Sequence, residues 1–194
     1  MSSRYMNIAR VVRPHGRTGE VIVRAVRGLP FCMQPGLTVA LTPPALDRDR
    51  FCEVLEVAED PQGARVRLSG IDSIDAAEAV RDCFVLACRD DIELGALDAP
   101  WVELIGRHLI DERYGDLGTI TEILETPAND VWQVEGPYGE VLVPVIEQVV
   151  AKIPEEGDIP VRIMDGLLTL GTVPNVRTDG TGVQDDEGRD RACS

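Results

Sequence analysis

The chain has 194 residues, room for one large domain or two small ones, and its 44% hydrophobic and 27% charged content is too apolar for a disordered polymer. A formal net charge of −15 argues against the whole molecule gripping bare nucleic acid, since phosphate affinity comes from clustered Lys and Arg. Five cysteines (Cys32, Cys52, Cys83, Cys88 and Cys193) form no C-x-x-C pair and have only two histidines beside them, so neither a disulfide framework nor a metal site is indicated.

The first ten residues carry no apolar signal core, which speaks against export and for free thiols in a reducing cytoplasm. Residues 1–28 hold six arginines (Arg4, Arg10, Arg13, Arg17, Arg24, Arg27) against one acid, Glu20, a local balance of +5 that leaves −20 on the remainder. That split suits a small basic face toward RNA and an acidic body toward a basic protein, or an acidic surface serving solubility alone. Short β-rich runs follow one another at Ile8 to Val12, Glu20 to Arg24, Thr38 to Leu41, Phe51 to Val57 and Ala64 to Leu68. The uncharged stretch Leu29 to Leu46 is long enough for a membrane span, but Pro30, Pro35, Gly36, Pro43 and Pro44 break it into turns and a short strand. Asp72 or Ser73 caps one predicted helix, with Ile74, Ala77 and Val80 three apart on one side, and strand composition returns from Cys83 to Cys88.

Arg89 to Pro100 is acidic and irregular and reads as a linker over 90–100, dividing an N-terminal domain (5–89) from a C-terminal one (101–172). Strand rhythm resumes at Arg107 to Asp111, Gly118 to Leu124, Val131 to Glu135, Glu140 to Val143 and Val161 to Met164, with Trp132 expected in the core. Turn chemistry lies between them, at Tyr114 to Asp116, Pro127 to Asp130 and Gly136 to Gly139. Many short strands at regular spacing predict a mainly β protein of two small barrels with few short helices. Residues 173–194 lose apolar character and read as a disordered tail. Gly16 to Val23 echoes Gly136 to Val143, a similarity better explained by two hairpins converging on one solution than by duplication.

The densest motif is Arg10 to Val23, where a strand meets a turn carrying Pro14, His15, Gly16 and Gly19 between arginines. Arg13, His15, Arg17 and Arg24 there are candidates for contact with phosphate or protein carboxylates, or else Pro14 and Gly16 shape the turn and His15 packs it. A thiol enzyme pairing His15 with Cys32 is the catalytic alternative, without a nucleophile elbow, an oxyanion loop or a third member to support it. His108 sits in an alternating strand as a surface or packing residue, and neither phosphate-cradling glycine pattern is present, so no nucleotide cofactor is implied. Trp101 at the domain junction is either an interface anchor or packing that sets the angle between domains.

Seven segments in order, Ala9 to Val21, Leu68 to Glu78, Glu103 to Gly106, Gly115 to Gly118, Asn129 to Val134, Val141 to Ile146 and Asp165 to Leu168, make residues 6 to 170 resemble the RimM family of bacterial ribosome maturation factors. The resemblance implies a six-stranded N-terminal barrel like those of translation factors, followed by a PRC-barrel. It further implies a non-enzymatic role in maturing the 30S head and assisting 16S rRNA processing; the chain itself reads as cytoplasmic and without membrane attachment, and a single heterologous partner needs only a monomer. Small-subunit ribosomal protein nineteen and the immature small ribosomal subunit are the implied partners, with an adaptor role in another complex as the alternative. Family members often carry two aromatics just before the junction tryptophan and use them on the partner. Here those positions are Ala99 and Pro100, so the implied ribosomal-protein site reduces to Ala99, Pro100 and Trp101.

Overall fold

In the computed structural model, which describes residues 4–42, 49–164 and 166–168, the chain forms two β domains. The tail expected over 173–194 lies outside the described residues. The first domain contains β1 (Tyr5–His15), β2 (Glu20–Ala25), β3 (Thr38–Thr42), β4 (Phe51–Asp60), β5 (Gly63–Leu68), helix α1 (Ile74–Ala79) and β6 (Phe84–Cys88). These strands close into an antiparallel barrel in the order β1-β2-β5-β4-β3-β6. Closure follows from alternation: Val21 and Val23 point inward, as do Val66 and Leu68, and the interior is filled by aliphatic and small side chains such as Met6, Ile8, Val11, Leu41 and Val54. Ser73 is the residue that caps α1, its hydroxyl accepting from the Ala76 amide at 3.2 Å.

β1 runs further than alternation suggested and takes in Pro14 and His15. A register shift between Val11 and Arg13 breaks the period-two pattern there, which hides the strand's continuation. Past Arg10 the ladder with β6 has ended, so the proline lies where β1 is bonded in register to β2 alone. The turn is therefore Gly16 to Gly19. Gly19, at φ +86°, lies so close to the Ile71 carbonyl that a Cβ would sit 2.0 Å from its oxygen, which fastens the hairpin tip to the loop before α1.

The second domain has a one-turn helix α2 (Trp101–Leu104), then β7 (His108–Asp111), β8 (Gly115–Leu124), β9 (Val131–Gly136), β10 (Gly139–Pro144) and β11 (Ile159–Val161). Among the described residues its sheet runs β10-β9-β8-β7-β11, antiparallel except for the β11–β7 pair. Trp132, Leu109, Leu117 and Ile120 form the core with Val149, Val150 and Ile153 from the segment that crosses to β11. The two echoing hairpins have different turns: four residues separate β1 from β2, whereas Gly136 and Gly139 pair directly across Pro137 and Tyr138. Convergence is thus the reading the geometry favours.

The last strand ends at Val161, not Met164. The Arg162 amide donates to the Val149 carbonyl and the Ile163 amide to the Asp111 carboxylate, at 2.8 and 2.7 Å, so the backbone leaves the ladder. Asp111 is 3% exposed, and its other oxygen accepts from the Arg113 and Tyr114 amides at 2.7 and 2.9 Å. Burial pushes its pKa upward, but the three amide donors and the nearby Arg113 charge outweigh that and hold the carboxyl below its ordinary value. Its contribution to stability is therefore complete at neutral pH and fades as pH falls through the depressed folded-state value. Asp111→Ala orphans three amides and is expected to cost about 3 kcal/mol in urea unfolding. Asp111→Asn should cost less and weaken the acid dependence of stability; an unaltered acid limb would remove Asp111 from that role.

Candidate partner-binding junction and basic face

Chain segments from both domains meet at residues 26–28 and 96–104. Gly28 has φ +87°, and a Cβ placed on it would lie 2.2 Å from the Ala99 carbonyl oxygen and 2.4 Å from Cδ1 of Trp101. Only glycine fits against the indole. The Ala99 amide donates to the Gly28 carbonyl and the Trp101 amide to that of Arg27, at 3.1 and 3.0 Å. The Arg27 guanidinium lies 5.3 Å from the Trp101 ring centre, and the indole N–H donates to Asp130 at 3.0 Å. Arg89, at the end of the first barrel, pairs with Glu103 on α2 at 3.2 Å.

The linker is held from both sides. Ile92 and Leu94 pack on the first core, Leu97 and Ala99 on the second, and the Ile153 amide donates to the Ala96 carbonyl at 2.8 Å. A cleft of about 660 Å³ opens beside it, lined by Met6 of the first barrel and by Arg107 and Lys152 of the second domain. Trp101 thus makes packing contacts with both domains while its side chain stays half-buried. Pro100 is buried and Ala99 half-buried. Next to them Val102 is 80% exposed and Ile105 46% exposed, an apolar surface that sequence reasoning passed over because isolated valine and isoleucine carry no signature.

The basic hairpin is organised by a residue far away in sequence. Gln62, in the β4–β5 turn, accepts from Nε and Nη2 of Arg13 at 3.2 and 3.0 Å through its side chain, and from Arg24 at 3.4 Å through its carbonyl. Arg10 stands opposite Arg24 across the β1–β2 ladder and pairs with Asp82 at 3.0 Å. Arg17 is exposed at the tip and His15 half-buried at the strand end. The structure thus gathers Arg13 and Arg24 and leaves Arg17 apart.

A match to the RimM N-terminal domain covers residues 6–92, and a match to the RimM PRC barrel domain covers residues 101–167. The chain belongs to the RimM family. Among curated relatives, the ribosome maturation factor RimM of Caldanaerobacter subterraneus subsp. tengcongensis is 32% identical over 84% of this chain and 98% of its own length. That of Desulfitobacterium hafniense is 32% identical over 82% and 95%, and that of Shouchella clausii 31% over 84% and 96%.

Within this RimM fold the thiol-enzyme alternative fails on distance. His15 stands at the far end of β1, opposite Glu20, whereas Cys32 lies beside Asp90 and Asp91, at the end where β1 begins against Cys88. The Cys32 thiol donates to the Pro30 carbonyl, and burial, reinforced by Asp98, pushes its pKa up, the wrong direction for a nucleophile. No helix is long and apolar enough to cross a membrane, and no cluster of three metal-ligating side chains occurs among the described residues.

The junction geometry predicts that Gly28→Ala lowers stability by about 2–4 kcal/mol in urea unfolding, because both the left-handed backbone and the indole contact are violated. Asp130→Ala, which leaves the indole N–H without its acceptor, should cost about 1–2 kcal/mol, and Asp130→Asn less. A neutral Gly28→Ala would show that the indole is free to move.

Proposed function

We propose that this chain is a non-enzymatic, cytoplasmic ribosome maturation factor that assists assembly of the 30S head and 16S rRNA processing by binding. The observation that carries the reading is membership of the RimM family along nearly the whole length of relatives named as ribosome maturation factors. In this reading residues 5–89 and 101–172 act as two domains joined by 90–100, in a monomer. The C-terminal domain and the junction at Ala99, Pro100 and Trp101 bind small-subunit ribosomal protein nineteen, and the N-terminal barrel approaches 16S rRNA through Arg13, His15, Arg17 and Arg24.

Charge supports that division of labour: +5 on residues 1–28 suits phosphate, and a net −10 on residues 101–172 suits a basic protein. At the junction Trp101 supports the contact by holding α2 in place, while exposed Val102 and Ile105 supply the apolar area.

Co-sedimentation of the full chain with immature small subunits tests the proposal, and absence from that fraction would overturn it. Trp101→Ala and Val102→Asp should each weaken the association about tenfold or more, Trp101→Ala with loss of stability and Val102→Asp without. Undiminished binding by both would sink the junction assignment. Replacing Arg13 and Arg17 together by Ala should weaken binding and flatten its dependence on salt, by about one unit of slope for each phosphate that is no longer neutralised. An unchanged slope would count against RNA at the hairpin.

A further inference from the structure

All three phenylalanines of this chain, Phe31, Phe51 and Phe84, lie outside both cores, at 37%, 53% and 41% exposure. Phenylalanine is ordinarily among the more buried residue types, so three surface rings in a chain of 4% aromatics need a reason. Two of them share one face. Across the barrel wall, Asn7, Leu86, Ala40 and Phe51 stand side by side on β1, β6, β3 and β4, and Arg24, Arg10, Phe84 and Thr42 form the next row on β2, β1, β6 and β3.

Ala40 is 8% exposed yet belongs to neither core: it is the floor of this outer face. Tyr5 leans over it until its ring centre is 6.4 Å from that of Phe51. The Arg10 guanidinium lies 5.6 Å from the Phe84 ring centre. Beside Phe84 is a recess of about 460 Å³, bordered by Arg10, Arg24 and Asn7. The amide oxygen of Asn7 is buried there without a hydrogen-bond partner.

We propose that this outer face of the first barrel is a stacking surface for an unpaired segment of RNA. Flat rings accept nucleobases of any sequence, and Arg10 and Arg24 are placed to neutralise the phosphates between them. The Asn7 oxygen is closed to solvent, so a base in the recess reaches it through rotation of that side chain, which gives the buried atom the partner it lacks. Duplex RNA offers its bases only in stacked pairs, so it fits the arginines but not the rings. Asp82, now paired with Arg10 at the surface, yields to a stronger anion at little cost, since both side chains are more than half exposed. The inference takes RNA as partner from the function proposed above, but places it on the strands and not on the hairpin tip.

The test is fluorescence anisotropy of the full chain with an unstructured RNA oligonucleotide of about twelve nucleotides and with a duplex of similar charge. The single strand should bind about tenfold more tightly than the duplex. The double variant Phe51→Ala/Phe84→Ala should remove that preference at unchanged thermal stability, and Phe84→Trp should keep it. Ultraviolet crosslinking of the unaltered protein to the same oligonucleotide, read by peptide mass spectrometry, avoids any question of folding and should mark peptides containing Tyr5, Phe51 or Phe84. Equal affinity for strand and duplex, a double variant that still prefers the strand, or crosslinks confined to the second domain would each overturn the proposal. So would a face that binds a ribosomal protein through Phe84 and has no affinity for the oligonucleotide. Co-sedimentation with immature subunits that survives such a failure would leave the maturation role standing. Oligonucleotide binding without co-sedimentation would do the reverse.

Discussion

Between Gly28 and Trp101 there is no room for a methyl group, and that exclusion governs how the two sheets meet. An indole against bare backbone cannot slide far: its N–H is held by Asp130 of the second domain, and its face is covered by Arg27 of the first. The linker, acidic and irregular as it is, is packed on both cores at once, so the two domains are held in one relation. A rigid spacing of this kind avoids the entropy of ordering two free domains in any association that engages both.

The interior of the first barrel explains its exterior. Six strands enclose a narrow space, and Val, Ile, Leu, Met, Ala and Cys fill it. Two of the barrel's phenylalanines are found on the wall instead, Phe84 beside the Arg10 guanidinium and Phe51 beside the Tyr5 ring. Ile22 shows the same wall at its most closed: it belongs to neither core, yet it is fully buried between Arg13 and Arg65, its partners on the adjoining strands, whose long aliphatic stems can cover apolar surface while their charges reach water.

Much of this was legible in the sequence where one face of a strand is buried and the other wet, as along Arg65 to Leu68, and at the helix, whose acidic first turn and apolar spacing stand out. Legibility failed where a local rule was broken for a distant reason. Alternation ends β1 at Val12 because its bulge interrupts the pattern, and it carries the last strand on to Met164 although Asp111, 52 residues away, draws the backbone off the ladder. The arginines of the hairpin announced themselves by charge, but nothing near them in the chain points to Gln62, which gathers two of them. Trp101 stood out as a lone aromatic at a boundary. What it packs against is Gly28, which in the sequence is one glycine among 18.

The two domains differ in one further respect, which bears on the protein's behaviour in concentrated solution. A closed barrel leaves no strand with unmatched amides, so the first domain has no edge on which another chain can extend its sheet. The second sheet ends in two. One is β11, only three residues long with Pro160 at its centre, a poor template for growth. The other is β10, six residues with half-exposed Leu142 in the middle, guarded by Glu140 and by Pro144 at its end. Of the two edges among the described residues, β10 is therefore the one on which another strand could more readily extend the sheet, and Glu140 and Pro144 stand against that.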